Sequence, residues 1–107
     1  MRLKERSIAV LWNVSNLLRD SKRWSAFTLA EDVNGCPVTP GDSSAVKWSL
    51  VGALTRYETT ILAINALIVV SGCDLKTLEI RATHAELLRI LERGMTWLEA
   101  WHEHTAR

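Results

Sequence analysis

The spacing of apolar and polar positions divides this chain into helical stretches with one interruption. Val10, Leu11, Val14, Leu17 and Leu18 recur at the i, i+1, i+4, i+7, i+8 intervals of one helical stripe, with Asn13, Asn16 and Asp20 opposite. They predict a first helix from about Leu3 to Asp20. From Ser21 to Asp42 that period disappears. Asn34-Gly35 is a tight-turn signal, because both residues tolerate positive φ. Phe27-Thr28-Leu29 and Cys36-Pro37-Val38 flank it as the arms of a short hairpin or extended excursion, Pro37 and Pro40 confining the second arm to an edge. Two short strands are not stable alone, so Trp24 and Phe27 are expected to anchor the excursion on the helices.

The helical period returns after Pro40-Gly41-Asp42, where Asp42 or Ser43 is placed to cap a second helix carrying Ala45, Trp48, Ser49, Gly52 and Ala53. A third helix over about Glu58 to Val70 is apolar on nearly every side, the pattern of a central helix. Cys73 to Ala82 reads as a connection. Thr83-His84-Ala85-Glu86 is a capping box for a last helix reaching about His102, with Leu87, Leu88, Leu91, Met95 and Leu98 on its inner stripe. Glycine inside a helix costs about 1 kcal/mol relative to alanine. Gly52 and Gly94 are therefore expected to mark close approaches between helices. The predicted fold is mainly α, an irregular bundle of three to four helices with a short hairpin or extended excursion between the first two, forming a single domain over residues 1–107.

Composition narrows the functional classes. Hydrophobic residues make up 48% of the chain and charged ones 23%, which places it among globular rather than disordered sequences. The net charge is only +1, and that balance argues against a nucleic-acid partner, which usually meets a basic surplus. A local basic patch at Arg19, Lys22 and Arg23, with Trp24 alongside, keeps a nucleic-acid-associated regulator open as an alternative. The most apolar stretch, Ile61 to Val70, has half of the roughly twenty residues a membrane span needs, so no membrane association is expected. The charged start Met1-Arg2-Leu3-Lys4-Glu5-Arg6 does not read as a signal peptide, and Cys36 and Cys73 form no CxxC motif, which points to the reduced cytoplasm.

The segment from Trp24 to Leu54 carries a series of motifs: Trp24, Glu31-Asp32, Gly35-Cys36-Pro37-Val38, Pro40-Gly41-Asp42, Ala45-Val46-Lys47-Trp48 and Gly52-Ala53-Leu54. In this order they resemble a family of small bacterial and phage proteins of unassigned function, whose pattern runs Trp, Gly-x-Pro-Val, a Pro-Asp loop and Trp-Cys-x-x-Gly-Ala-Leu. The last helix from Thr83 is also similar to that family's closing helix. This chain has Ser49 where the pattern has Cys, and it lacks an Asn-Asp pair before the last helix, so no role of those groups carries over. The resemblance implies a phage or mobile-element accessory protein and leaves its activity open.

Chemistry-bearing residues are sparse. No phosphate loop, nucleophile elbow or zinc spacing is present, and no cofactor, metal or catalytic residue is expected. His102 and His104 point about 200° apart on a helix and would not share a metal. Five tryptophans in 107 residues is a heavy load. Trp24, Trp48 and Trp97 are read as core, whereas Trp12 and Trp101 are read as partly exposed interface candidates. The expected function is non-catalytic recognition of a protein partner or of a second copy. A small-ligand or nucleotide binder is the alternative, with the excursion as a lid over a pocket built from Trp24, Asp42, Trp48 and Gly52.

Overall fold

The structure is a computed structural model and describes residues 2–102. Five helices and one two-stranded sheet make up these residues: α1 (Leu3–Leu18), β1 (Ala30–Glu31), β2 (Lys47–Trp48), α2 (Leu50–Arg56), α3 (Ile61–Ser71), α4 (Leu75–Arg81) and α5 (His84–Ala100), with a single 3-10 turn at Ser21–Arg23. The protein is mainly helical, as the periodicity predicts, with the non-helical excursion between α1 and α2.

α1 and α5 form an antiparallel pair. Near one end Lys4 Nζ donates to the Glu99 carbonyl at 2.8 Å, and at the other the His84 ring bonds the Leu18 carbonyl at 2.6 Å. Because that carbonyl can only accept, Nε2 of His84 carries the proton. The predicted stripe of α1 is buried in full, and Leu87, Leu91 and Leu98 meet it from α5. α3 closes this core at Gly94, where a Cβ would lie 3.0 Å from Leu11 Cδ1 and 3.1 Å from Leu67 Cδ2. The second turn of α1 and the N-cap of α3 are tied by a hydroxyl–hydroxyl bond between Ser7 and Thr60, both buried. Thr60 also caps α3, accepting from the Ala63 amide at 3.0 Å.

Several predicted boundaries move: α1 ends at Leu18 rather than Asp20, and α3 begins at Ile61 rather than Glu58. α2 begins at Leu50, not after Asp42. The Asp42 carboxylate is occupied by the Ser44 amide at 2.8 Å and hydroxyl at 2.7 Å in a local turn, while Lys47–Trp48 is drawn into the sheet. Ser49 is the true cap, accepting from the Gly52 amide at 2.9 Å. Leu75–Arg81 is a helix where a connection was expected; Asp74 caps it by accepting from the Thr77 amide at 2.7 Å, and Leu78 is its one buried residue. The last helix stops at Ala100 rather than His102.

The excursion is also registered differently. Ala30 pairs with Trp48 and Glu31 with Lys47, antiparallel, so the principal partner of the first arm lies beyond the turn rather than at Cys36–Val38. The expected hairpin survives as a bridge between Glu31 and Pro37 and a Val38 amide bond to the Ala30 carbonyl. Its turn is set by Asp32, whose carboxylate accepts the Asn34 and Cys36 amides at 2.9 Å, with Gly35 at φ 80°. On the far side of β2, Ser25 donates its amide to the Trp48 carbonyl. Trp24 packs against the core, but Phe27 is 96% exposed and anchors nothing.

Candidate interaction surface

Each helix of this small bundle has one apolar side to bury, and α3 has more than one. Leu62, Ala63, Ala66 and Leu67 face the core. The opposite side carries Ile61, Asn65, Ile68 and Val69, all exposed, with Ile64 half-buried on its flank. Ile61 is 78% exposed, Val69 56% and Ile68 37%. Their spacing, i, i+4, i+7, i+8, is that of a single stripe running the length of the helix. No ionisable residue occurs from Ile61 to Ser71. The expectation that α3 is central is thus corrected: the bundle covers one side of a helix that is apolar except at Asn65 and Ser71, and leaves the other in solvent. Sequence periodicity could not find this face, because a helix apolar all round has no preferred side until its neighbours are placed.

The residues singled out from sequence fall in separate places. Trp12 is on the outer side of α1 and 52% exposed, while Trp101, just beyond α5, is half-buried and lines an open groove of about 160 Å³ with Arg2, Lys4 and His102. Arg19, Lys22 and Arg23 are all exposed where α1 gives way to the 3-10 turn. Asp20 lies among them, accepting the Lys22 amide at 3.0 Å, and Arg19 shares a groove of about 340 Å³ with Ser15, Leu88 and Glu92, so this corner is of mixed sign.

Trp24 and Trp48 are bridged backbone to backbone, and Gly52 lies in the helix that follows. Trp48 is 4% exposed; its indole N–H donates to the Pro40 carbonyl at 3.0 Å, and the Arg56 guanidinium lies 4.9 Å from its ring centre. Arg56 also donates to the Pro40 carbonyl at 3.3 Å, so the excursion is clamped over the indole. The space above Gly52 is filled: a Cβ there would sit 1.8 Å from the Leu29 carbonyl oxygen. Gly52 thus meets the excursion's backbone rather than a neighbouring helix, which corrects the expected helix–helix contact; Gly94 meets helices on both sides. The Leu29 backbone lies directly over Gly52, and Asp42 stays exposed in its own turn. The Trp24 ring instead tilts against His84 at 5.7 Å.

Three carboxyl groups, one in a turn and two at helix starts, are held below their ordinary values by local hydrogen bonds. The Ser44 amide, then its hydroxyl, hold the Asp42 carboxyl below its ordinary value. Thr77 does the same for Asp74, and Thr83 for Glu86, with the backbone N–H the larger influence in each. Among the described residues no group of three or more His, Cys, Asp or Glu side chains could hold a metal ion; His104 lies outside those residues. Nor is any single helix there long and apolar enough to cross a membrane. Comparison with protein-family models, with curated proteins and with solved structures finds no match to this chain.

Proposed function

We propose that the protein is a non-catalytic recognition module that binds another protein chain through the outer face of α3. The observation that carries this reading is the exposure of Ile61, Ile68 and Val69 on one uncharged stripe. Apolar stripes on a folded helix mark surfaces that another chain covers, and the centres of protein interfaces are depleted in charge. Trp12 and Trp101 are secondary candidates, since aromatic side chains with free surface recur at interface hot spots. The module works in the cytoplasm, where the free thiols Cys36 and Cys73 stay reduced. A phage or mobile-element setting is proposed on the Trp24–Leu54 resemblance alone. A nucleic-acid-associated role draws on Arg19, Lys22 and Arg23 but meets the opposing charges of Asp20 and Glu92 there.

The test is site-specific photo-crosslinking in the host cell, with a photoreactive residue replacing Ile61 or Val69 and, as control, the exposed Asn16 of α1. A discrete higher-mass protein adduct from the α3 positions and none from position 16 is expected. Equal labelling at all three, or none at the α3 positions, would sink the assignment.

A further inference from the structure

The geometry points to a second site, independent of α3: the groove between α1 and α5 binds a free aliphatic α-amino acid. Ser15 and Arg19 line it from α1, Leu88 and Glu92 from α5. Each pair is spaced i, i+4 and so shares one face of its helix. The groove holds about 340 Å³, within the range of about 300–1,000 Å³ for small-molecule sites. Ser15 distinguishes it from a gap between side chains, being only 3% exposed. Four hydroxyl side chains are buried among the described residues: Ser7, Ser15, Ser49 and Thr60. Ser7 donates to the Leu3 carbonyl, Ser49 accepts from the Gly52 amide and Thr60 from the Ala63 amide, whereas Ser15 has no hydrogen-bond partner for its hydroxyl among the described residues. Trp24 Nε1 is the one side-chain nitrogen or oxygen there that is both fully enclosed and unpaired. The Ser15 hydroxyl is therefore not sealed in; it opens on the groove it lines, and takes its partner from whatever fills that groove.

The four groups together select a small zwitterion. Arg19 is exposed and offers a planar fork that grips a carboxylate through two parallel hydrogen bonds. Ser15, one turn before it on the same face, donates to that same carboxylate. Glu92, exposed on the other helix, accepts from an ammonium group, and half-buried Leu88, one turn before it, gives an aliphatic side chain an apolar wall. Other ligand classes leave something unmet. A phosphate is repelled by Glu92, an amine alone by Arg19, and a purely apolar molecule leaves the Ser15 hydroxyl without a partner. An α-amino acid carries both charges and an apolar tail on one carbon, and meets all four. The groove is open and the ligand has few atoms, so the Kd should be on the order of 1 mM.

The experiment is an amide NMR titration of the full chain with L-leucine at neutral pH, from about 0.1 to about 30 mM, which brackets such a Kd. Saturable shifts should appear around positions 15–19 and 88–92 and not along 61–71. Isocaproate, which lacks the ammonium, and isoamylamine, which lacks the carboxylate, should each bind roughly tenfold more weakly or worse. Arg19→Gln and Glu92→Gln, both at exposed positions, should each weaken leucine binding about tenfold. Ser15→Ala should weaken it about fivefold in a protein at least as thermostable as wild type, because the hydroxyl gives up no hydrogen bond among the described residues. A serine serving only the fold would lower Tm instead, which would overturn its role as a ligand group. No saturable shift by about 30 mM overturns the site. Equal shifts from leucine and its two half-analogues also overturn it, since they report ionic association alone, as does an affinity untouched by Ser15→Ala.

Discussion

Gly52→Ala separates a glycine held by backbone from one held by side chains. The new Cβ would sit 1.8 Å from the Leu29 carbonyl oxygen and 2.7 Å from its carbon, when real contacts stay beyond about 3.0 Å. Leu29 would have to retreat by more than an ångström. Its carbonyl accepts from the Ser49 amide at 3.3 Å, and the next residue, Ala30, pairs with Trp48, so the retreat strains the cap of α2 and the sheet together. Overpacking of this kind costs about 1–3 kcal/mol, and loosened hydrogen bonds add about 1 kcal/mol each. Against this, alanine returns about 1 kcal/mol of helix propensity. The net loss is about 2–4 kcal/mol, a drop in Tm of roughly 10–30 °C for a chain of this size. At Gly94 the same substitution meets only the ends of Leu11 and Leu67, 3.0 and 3.1 Å away, which can turn aside. There the propensity gain offsets the crowding, and Tm should move by no more than about 5 °C. Thermal melts followed by far-ultraviolet circular dichroism and tryptophan fluorescence check both. A Gly52→Ala protein as stable as wild type, or a Gly94→Ala protein hurt more than Gly52→Ala, would refute the reasoning.

Two further outcomes follow from the caps and the Asp42 turn. Thr60→Ala removes the α3 cap and the buried partner of Ser7, and should cost about 1–2 kcal/mol in urea unfolding, while Thr60→Ser should recover most of it. Asp42, Asp74 and Glu86 titrate below their ordinary values in the folded chain, so folding is favoured while they are charged. That contribution is complete above the ordinary carboxylate range of about pH 4 and is lost as pH falls through the lower folded values. Tm should be level from neutral pH to about pH 5 and decline below about pH 4, less steeply in Asp74→Asn, which keeps a capping oxygen without the titration. A Tm rising on acidification through that range would contradict the assignment.

The asymmetry of α3 links these observations to function. Its 11 residues carry no charge, and the bundle needs only half of its circumference. A helix with no other role could exchange Ile61 or Val69 for Lys or Glu at little cost, since surface changes away from special features shift stability by about 0.5 kcal/mol or less. Aliphatic side chains at these exposed positions are what the docking role proposed above calls for.

Some of this architecture belongs to the sequence alone. The α1 stripe from Val10 to Leu18, the Thr83–Glu86 capping box with its α5 stripe, and the turn at Asn34-Gly35 rest on interactions within four residues, and the structure shows all three. The Asp74 cap was equally local, but α4 is only seven residues long with one buried, too little for its period to register. Tertiary structure decided the rest. Lys47–Trp48 became a strand because Ala30–Glu31, seventeen residues earlier, offers a backbone partner, and Gly52 is indispensable because Leu29 arrives there. For α3, local pattern says only that nearly every side is apolar. Which side stays in water, and with it the candidate surface, is settled by where α1 and α5 happen to lie, and no interaction within one helix carries that information.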